Sequence, residues 1–448
     1  MIRFVDLFAG IGGIRLGFEQ AMQEFGLETE CVLSSEIDEH AQETYESNFG
    51  EKPSGDIFKI QEFPKFDFLL AGFPCQPFSY AGKQKGFGDT RGTLFFEIER
   101  LLATHQPKAF LLENVRGLTT HDSGRTLDTI VGKLELLGYG VKCLLLNSSD
   151  FGVPQNRVRV YIVGIKASKP KMSLISSRGA TDSHQFKRLC NTRIFHTQNS
   201  VVRDILEDSP PSSFDCSAKF KERLLSVLES KKLAPHGARL IDFRNGNSVH
   251  SWELGIKGEC TLEEIEFLNA LVANRRKKIF GTEQDGKNLS ITQIRSFFNN
   301  PNLIDILDSL IKKRYLRIRD GLYNPVSGNM SFEIFKVLDP DSVSITLVTS
   351  DAHKLGVYYN GRLRHLTPRE CARLQGYPDS FKHHEQPTHA YRQFGNSVSV
   401  PVIKMVISDL FENNDFWRLP QSENVPSRTA SSKSTFADVF ERLTAATN

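Results

Sequence analysis

The chain is poor in cysteine. Seven cysteines in 448 residues, an odd number at wide spacing, exclude a disulfide framework. None forms a Cys-x-x-Cys pair, which excludes the common structural zinc motifs, so no metal site is expected. Long hydrophobic runs are also missing. No stretch approaches the roughly 18 consecutive apolar residues of a membrane helix, and no membrane partner is expected. The apolar segment behind Met1 spans only five residues, too short for a secretory leader, so the expected location is intracellular. There are no internal repeats, which excludes a solenoid. What remains is ordinary globular composition, 39% hydrophobic and 24% charged, over a length that suggests two or three domains.

Charge of either sign is nearly balanced, with 56 Lys and Arg against 53 Asp and Glu. The balance hides a division. Residues 165–362 hold 30 basic and 22 acidic side chains, a net of +8, while the flanks hold 26 and 31, a net of −5. A basic block inside acidic surroundings suits a polyanionic partner or a solvated surface.

Short apolar runs punctuate the first 165 residues. Strands are expected at Phe4–Phe8, Cys31–Ser34, Asp67–Ala71, Lys108–Glu113, Gly140–Leu146 and Val158–Ile165, with helix-length segments between most of them. That alternation predicts βαβ units and a parallel sheet. Phe68-Leu69-Leu70-Ala71 is continuously apolar, as a strand covered on both faces should be. A Ser, Lys and Pro cluster at 166–179 marks a boundary, and 180–260 is irregular. Thr261-Leu262-Glu263-Glu264 reads as a capping box opening a helix. Across 289–323, two helical stripes separated by Asn299-Asn300-Pro301 are followed by Leu316-Arg317-Ile318-Arg319 and an Asp320-Gly321 turn. Two helices and a hairpin suggest either a winged helix-turn-helix or a small helical packing unit with no DNA contact. The segment 419–448 reads as a Ser/Thr-rich tail.

Four motifs carry chemistry. In Phe4-Val5-Asp6-Leu7-Phe8-Ala9-Gly10-Ile11-Gly12-Gly13 a strand enters a glycine turn and then a helix, the arrangement that lets backbone approach a nucleotide-like ligand. Glu36 ends the next strand, placed for ribose hydroxyls. Asp56 follows the third element and suits an adenine amine or a helix cap. Ala71-Gly72-Phe73-Pro74-Cys75-Gln76-Pro77-Phe78-Ser79 presents a thiol beyond the carboxyl end of a buried strand, where open α/β sheets bind ligands. Phe110-Leu111-Leu112-Glu113-Asn114-Val115 delivers a carboxylate at a strand end in the same way. Gln155-Asn156-Arg157-Val158-Arg159 offers two guanidiniums, suited to oxygen acceptors on a base or phosphate.

These blocks, in this order, resemble the DNA (cytosine-5) methyltransferases of prokaryotic restriction-modification type. The likeness covers residues 1–165 and roughly 362–405, including Arg364-His365-Leu366-Thr367-Pro368-Arg369-Glu370-Cys371 and Gln393-Phe394-Gly395-Asn396-Ser397-Val398. It implies an α/β, Rossmann-like S-adenosylmethionine-dependent sheet with a second, smaller target-recognition domain. The implied division is 1–170, completed by 390–418, for catalysis and cofactor, and 171–389 for target recognition. Catalytic roles fall to Cys75, Glu113, Arg159 and Arg157. Cofactor contacts fall to Phe8, Gly10, Gly12, Glu36, Ile37, Asp56, Ile57, Pro74, Leu94, Asn396 and Ser397. Ile37 stands where many relatives carry an aromatic. The glycine-rich stretch from Ser79 to Gly92 resembles the family's catalytic loop, with Ser79, Lys83, Lys85 and Arg91 for DNA, and Arg314, Arg317 and Arg319 are further candidates. The resemblance also implies duplex DNA as partner, a restriction endonuclease acting separately, a monomer, and a cytoplasmic location on the nucleoid. Three other readings remain open: a tRNA cytosine-5 methyltransferase, against which the long insert 166–361 counts; a DNA-binding regulator, against which Cys75 and Glu113 count; and a dinucleotide oxidoreductase, which the glycine turn alone allows.

Overall fold

The computed structural model describes residues 1–73, 94–174, 176, 200–243, 248–281, 288–328 and 331–417. Strands β1 (Ile2–Leu7), β2 (Thr29–Ser35), β3 (Phe68–Gly72), β4 (Ala109–Val115), β5 (Tyr139–Asn147) and β6 (Val158–Lys166) form one sheet in the order β2-β1-β3-β4-β6-β5. All six expected strands are present, displaced by no more than one or two residues at their ends. Helices α1 (Gly13–Glu24), α2 (Glu39–Phe49), α3 (Leu94–His105) and α4 (Arg125–Leu136) lie between them in sequence.

Strands β1 to β4 pair in parallel. The expectation of a parallel sheet fails at β6, which runs antiparallel to both β4 and β5. Residues 148–157 join β5 to β6 without an α-helix. A parallel neighbour needs a long crossover, and this connection is too short to supply one.

Burial follows the pleat. Phe68, Leu69, Leu70 and Ala71 are all fully buried. Phe68 and Leu70 enter one apolar layer, Leu69 and Ala71 the other, because alternate side chains of a strand point to opposite faces.

The remaining helices are α5 (Ala218–Ser230), α6 (Leu262–Asn274), α7 (Ile291–Arg295), α8 (Leu303–Lys312), α9 (Pro368–Leu374), α10 (Pro387–Asn396) and α11 (Val400–Glu412). A second sheet takes the order β13-β12-β11-β7-β8 from β7 (Arg239–Leu240), β8 (Ser248–Val249), β11 (Lys336–Leu338), β12 (Leu355–Tyr359) and β13 (Arg362–His365). Between them in sequence, β9 (Leu316–Arg319) and β10 (Leu322–Pro325) make a separate hairpin. The expected capping box forms at the start of α6, where Thr261 and Glu264 cap each other.

The C-terminal helix returns to the first sheet. Val402, Ile403, Val406, Ile407 and Leu410 of α11 join Phe4, Phe18 and Phe68 in one apolar layer. Gly17 makes this approach possible, since a Cβ there would lie 2.7 Å from Cβ of Ile403. The apolar stretch Pro387–Glu412 is mostly buried, its α11 side chains in this layer and Ala390, Tyr391 and Phe394 of α10 in a neighbouring one. The return of α11 also brings the preceding residues, 393–398, to the end of β1.

Candidate active site

The carboxyl ends of β1, β3 and β4 open onto a cavity of about 500 Å³. Its lining includes Phe8, Gly10 and Glu36, then Gly72, Phe73, Glu113, Asn114, Arg157 and Arg159, then Asn396 and Ser397. Residues nearly 390 apart in sequence thus share one wall-to-wall space.

The β1 side is a tight turn. Phe8, Gly10 and Gly12 all have positive φ, 56°, 55° and 83°. At Gly12 the space is closed as well, since a Cβ would run into the Phe49 ring; glycine meets both demands. Glu36 holds the turn in place. One carboxylate oxygen accepts from the Gly10 N–H at 2.8 Å, the other from the N–H groups of Ile37 and Asp38 at 2.8 and 2.9 Å. The oxygen that accepts from Gly10 keeps a lone pair for a ligand hydroxyl, while the other already accepts twice.

The β4 side holds the charged pair. Glu113 and Tyr161 are directly paired across β4 and β6, as are Val115 and Arg159. Glu113 and Arg159 are therefore diagonal neighbours on one face, within reach of each other. The Arg159 Nε lies 3.3 Å from Glu113, with both side chains only 11–13% exposed. Burial raises the Glu113 carboxyl above its ordinary range, and Arg159 and then Arg157 oppose that rise. Desolvation wins over the two cations.

Arg157 is buried and precedes β6. It donates to the Leu347 carbonyl at 2.8 Å and to the Ser397 carbonyl, while Nε has no partner. Burial and the neighbouring Arg159 lower its pKa to about 10. Its donors are committed to two main-chain carbonyls, one of them at the Asn396-Ser397 wall. Ser397 is held further by Tyr377, and Asn396 by Thr349.

Cys75, Pro74, Ser79, Lys83, Lys85 and Arg91 lie outside the described residues. The strand that leads to Cys75 ends at Gly72, the ladder partner of Glu113. Phe73 follows, buried, its carbonyl accepting from the Asn114 side chain at 2.8 Å. Asn114 also accepts from the Val115 N–H at 2.8 Å.

Five other expected cofactor residues are not in the cavity lining: Gly12, Ile37, Asp56, Ile57 and Leu94. Ile37 is 73% exposed. Asp56 caps a short turn by accepting from the Phe58 N–H at 3.1 Å. Ile57 is a core residue, and Leu94 packs against the same core. Conversely, Asp38, Val348, Thr349, Arg392 and Gln393 line the cavity without having been singled out. Gln393 had a signal, since it opens the Gln393-Phe394-Gly395-Asn396 block. Val348 and Thr349 had none.

Arg317 and Arg319 lie exposed on β9, and Arg314 sits exposed in the left-handed turn before it. Among the described residues, His40, Glu43 and His384 approach closely enough to hold a metal. The Gln386 N–H donates to Nδ1 of His384 at 3.0 Å, which leaves the proton on Nε2, facing Glu43 at 3.2 Å. The trio thus forms a hydrogen-bonded link from α2 to the segment before α10.

Comparison with known proteins agrees with this geometry. Residues 2–412 match the family model for C-5 cytosine-specific DNA methylases. The chain is 65% identical over 417 residues to the type II methyltransferase M.HgiCI of Herpetosiphon aurantiacus, covering 93% of this chain and 99% of that one. It is also 65% identical to the type II methyltransferase M.BanI of Aneurinibacillus aneurinilyticus, covering 92% and 96%. A crystal structure of a DNMT2 variant from Spodoptera frugiperda shares the fold at a TM-score of 0.51 and 17% identity, covering 92% of this chain and all of that one. The chain therefore belongs to the C-5 cytosine-specific DNA methylases, as an enzyme of the type II restriction-modification kind.

Proposed function

We propose that the protein flips a cytosine out of a specific duplex sequence and methylates its C5 through a covalent adduct with Cys75, so protecting the DNA from a separately acting restriction endonuclease. The observation that carries this reading is the convergence of Glu113 and Arg159 with Glu36, Gly10 and Asn396 on one cavity, at the end of the strand that leads to Cys75. The names of the two relatives support the protective role. In this reading residues 1–170 with 390–418 catalyse, and 171–389 choose the target.

The cavity fits S-adenosylmethionine. A left-handed glycine turn lets backbone lie against a ligand, and the Glu36 oxygen that accepts from Gly10 has a lone pair left for a ribose hydroxyl. When bound, that cofactor supplies an electrophilic methyl group. Phe8, Gly10, Glu36, Asn396 and Ser397 would hold it, with Gly12 shaping the turn. As the family resemblance implies, Ile37 and Asp56 would meet the adenine, and Ile57, Pro74 and Leu94 would add further contacts.

The target carbon is weakly nucleophilic, so covalent activation is required. The Cys75 thiolate adds to C6, and the displaced electron pair reaches C5. Glu113, its carboxyl raised by burial, shares a proton with N3 and accepts from the exocyclic amine. Arg159 donates to O2. Both contacts strengthen as charge builds on the ring. C5 then takes the methyl group, loses its proton to a base, and the C–S bond breaks to regenerate the thiolate. Arg157 acts as a positioning residue between this wall and Ser397. Attack on C6 requires an extrahelical base, at a cost of a few kcal/mol; Ser79, Lys83, Lys85 and Arg91 would grip the phosphates around it.

The test is expression in a methylation-free host, followed by bisulfite sequencing, with Cys75→Ser as control. Protected cytosines within one short recurring sequence, absent in the control, are expected. Protection that persists in the control would overturn the covalent step.

A further inference from the structure

Residues 252–325 contain a small unit with its own core. Trp252, Phe267, Leu271, Ile294, Leu307 and Leu310 are among its buried members. Its elements run α6, a bridge residue Leu289, α7, α8, β9 and β10. Leu289 pairs with Tyr323 by hydrogen bonds in both directions, so a single bridge residue extends the β9–β10 hairpin on the far side of β10. Helix, bridge residue, helix, helix and hairpin is close to the order of a winged helix. In the usual docking of such units the third helix enters the groove with its N-terminal half foremost.

Here that helix has the wrong charge. The exposed positions in the first two turns of α8 are Ile304, Asp305 and Asp308. The acids face solvent where phosphates would pass.

The opposite character is found on the hairpin. Arg317 pairs with Asn324, and Arg319 with Leu322. Leu316 is buried and Tyr323 packs on the core, so the alternation turns Arg317, Arg319 and Asn324 to the outer face. The end of α6 joins this face. Arg275 donates to the Asn324 side chain at 2.6 Å, and Arg276 beside it is exposed. Arg275 is only 2% exposed, stacks on Phe243, and has no partner for Nε and Nη1. Burial lowers its pKa, and Arg276 and Arg317 lower it further. Two exposed guanidiniums, Arg276 and Arg317, beside a buried cationic Arg275 that both of them repel, make this face one that suits an anion.

We propose that this unit meets duplex DNA with the outer face of its hairpin and the C-terminal end of α6, and keeps α8 out of the groove. The proposal rests on the assignment of duplex DNA as substrate. Arg276, Arg317 and Arg319 contact phosphates or base edges, and Arg275 backs them through Asn324.

The test compares two variants of the full chain in binding to a duplex carrying the methylated sequence, across a salt series. In one, Arg276, Arg317 and Arg319 are changed to Ala. In the other, Asp305→Asn is combined with Asp308→Asn. Each lost phosphate contact lowers the slope of log affinity against log salt by about 0.9. The arginine variant should lose roughly two to three units of slope and at least tenfold in affinity at physiological salt, while calorimetric binding of S-adenosylmethionine is unchanged. The aspartate variant should bind within about twofold of the parent. An unchanged slope in the arginine variant, or a tenfold loss in the aspartate variant, overturns the proposal. So does equal loss of binding to an unrelated single-stranded RNA and to the duplex, which would mark the face as a general polyanion site. Failure of the parent chain to methylate DNA would count against the proposed function instead, because binding and its salt slope are read without turnover.

Discussion

Replacing Glu113 by Gln separates its chemical role from its role in shape. A Gln amide offers an N–H donor to N3 and a carbonyl to the exocyclic amine, the same pattern as a protonated carboxyl. Affinity for the target duplex should therefore change by less than about threefold. Catalysis should not survive so well. Gln cannot share a mobile proton with N3 as charge develops, and loss of such a contact costs about 10²–10³ in rate, or about 3–4 kcal/mol of barrier. Stability tests the electrostatics independently. Arg159 lies 3.3 Å from Glu113, yet burial outweighs that attraction and the carboxyl is raised. A carboxyl whose folded pKa lies above its unfolded value binds its proton more tightly in the folded state. Its contribution is then fully present below the unfolded pKa and is lost as pH rises through the folded pKa. The parent should lose this increment on going to alkaline pH, and Glu113→Gln should not. Single-turnover methyl transfer and urea unfolding at several pH values provide the measurements. If the Gln variant turns over at the parent rate, Glu113 is not sharing a proton with the base. If the variant is instead destabilised by about 3 kcal/mol or more at high pH, the ion pair with Arg159 prevails over desolvation, and the proton-sharing role loses its basis.

Three further outcomes follow from the surroundings of the cavity. Asp6 is fully buried beneath the glycine turn, with one carboxylate oxygen unpartnered, and burial raises its pKa to about 7. Between the ordinary carboxylate range and pH 7, the folded state holds a proton that the unfolded state has lost, so stability should fall with rising pH by about 1.4 kcal/mol per unit; Asp6→Asn should flatten that slope in denaturant titrations, and an unchanged slope would place the titration elsewhere. Asn114→Ala frees the Phe73 carbonyl, which should cost about 1 kcal/mol in unfolding free energy but roughly tenfold or more in turnover, because the segment carrying Cys75 starts there; a loss of stability without loss of rate would show that the bond serves only the fold. Arg157→Met leaves the Leu347 carbonyl unpaired and the Ser397 carbonyl with only a long bond from Gln375, so stability should drop by about 2–3 kcal/mol and calorimetry should show weaker binding of S-adenosylmethionine, whereas unchanged cofactor affinity would detach Arg157 from that wall.

The parts legible in the sequence are those that local periodicity encodes. Phe68-Leu69-Leu70-Ala71 announces a strand buried on both faces because nothing in it can face water. Thr261 and Glu264 announce a helix start because the capping box is made of four consecutive residues. Glu36 and Gly10 were legible as a pair of strand-end features, and their hydrogen bond follows from the pairing of β1 with β2. The antiparallel β6 was missed because strand direction lies in the connection, not in the apolar run. Arg157 is legible in the sequence as a support for the pocket or a phosphate, but its partners, the Leu347 and Ser397 carbonyls, come from segments 190 and 240 residues away. No local pattern encodes such a partner.

The hairpin shows the same limit from the other side. Its basic residues and its helix pattern are visible in the sequence, which leaves a winged-helix unit and a plain packing unit both open. Which face would carry the proposed role depends on three facts that only the folded chain supplies: that Asp305 and Asp308 are exposed, that Asn324 shares a face with Arg317, and that the buried Arg275, at the C-terminal end of α6, donates to Asn324. A charge count over 262–325 treats the acids of α8 and the arginines of β9 as neighbours that cancel. The fold separates them onto different surfaces, and separated charges steer a polyanion where a cancelled sum would not.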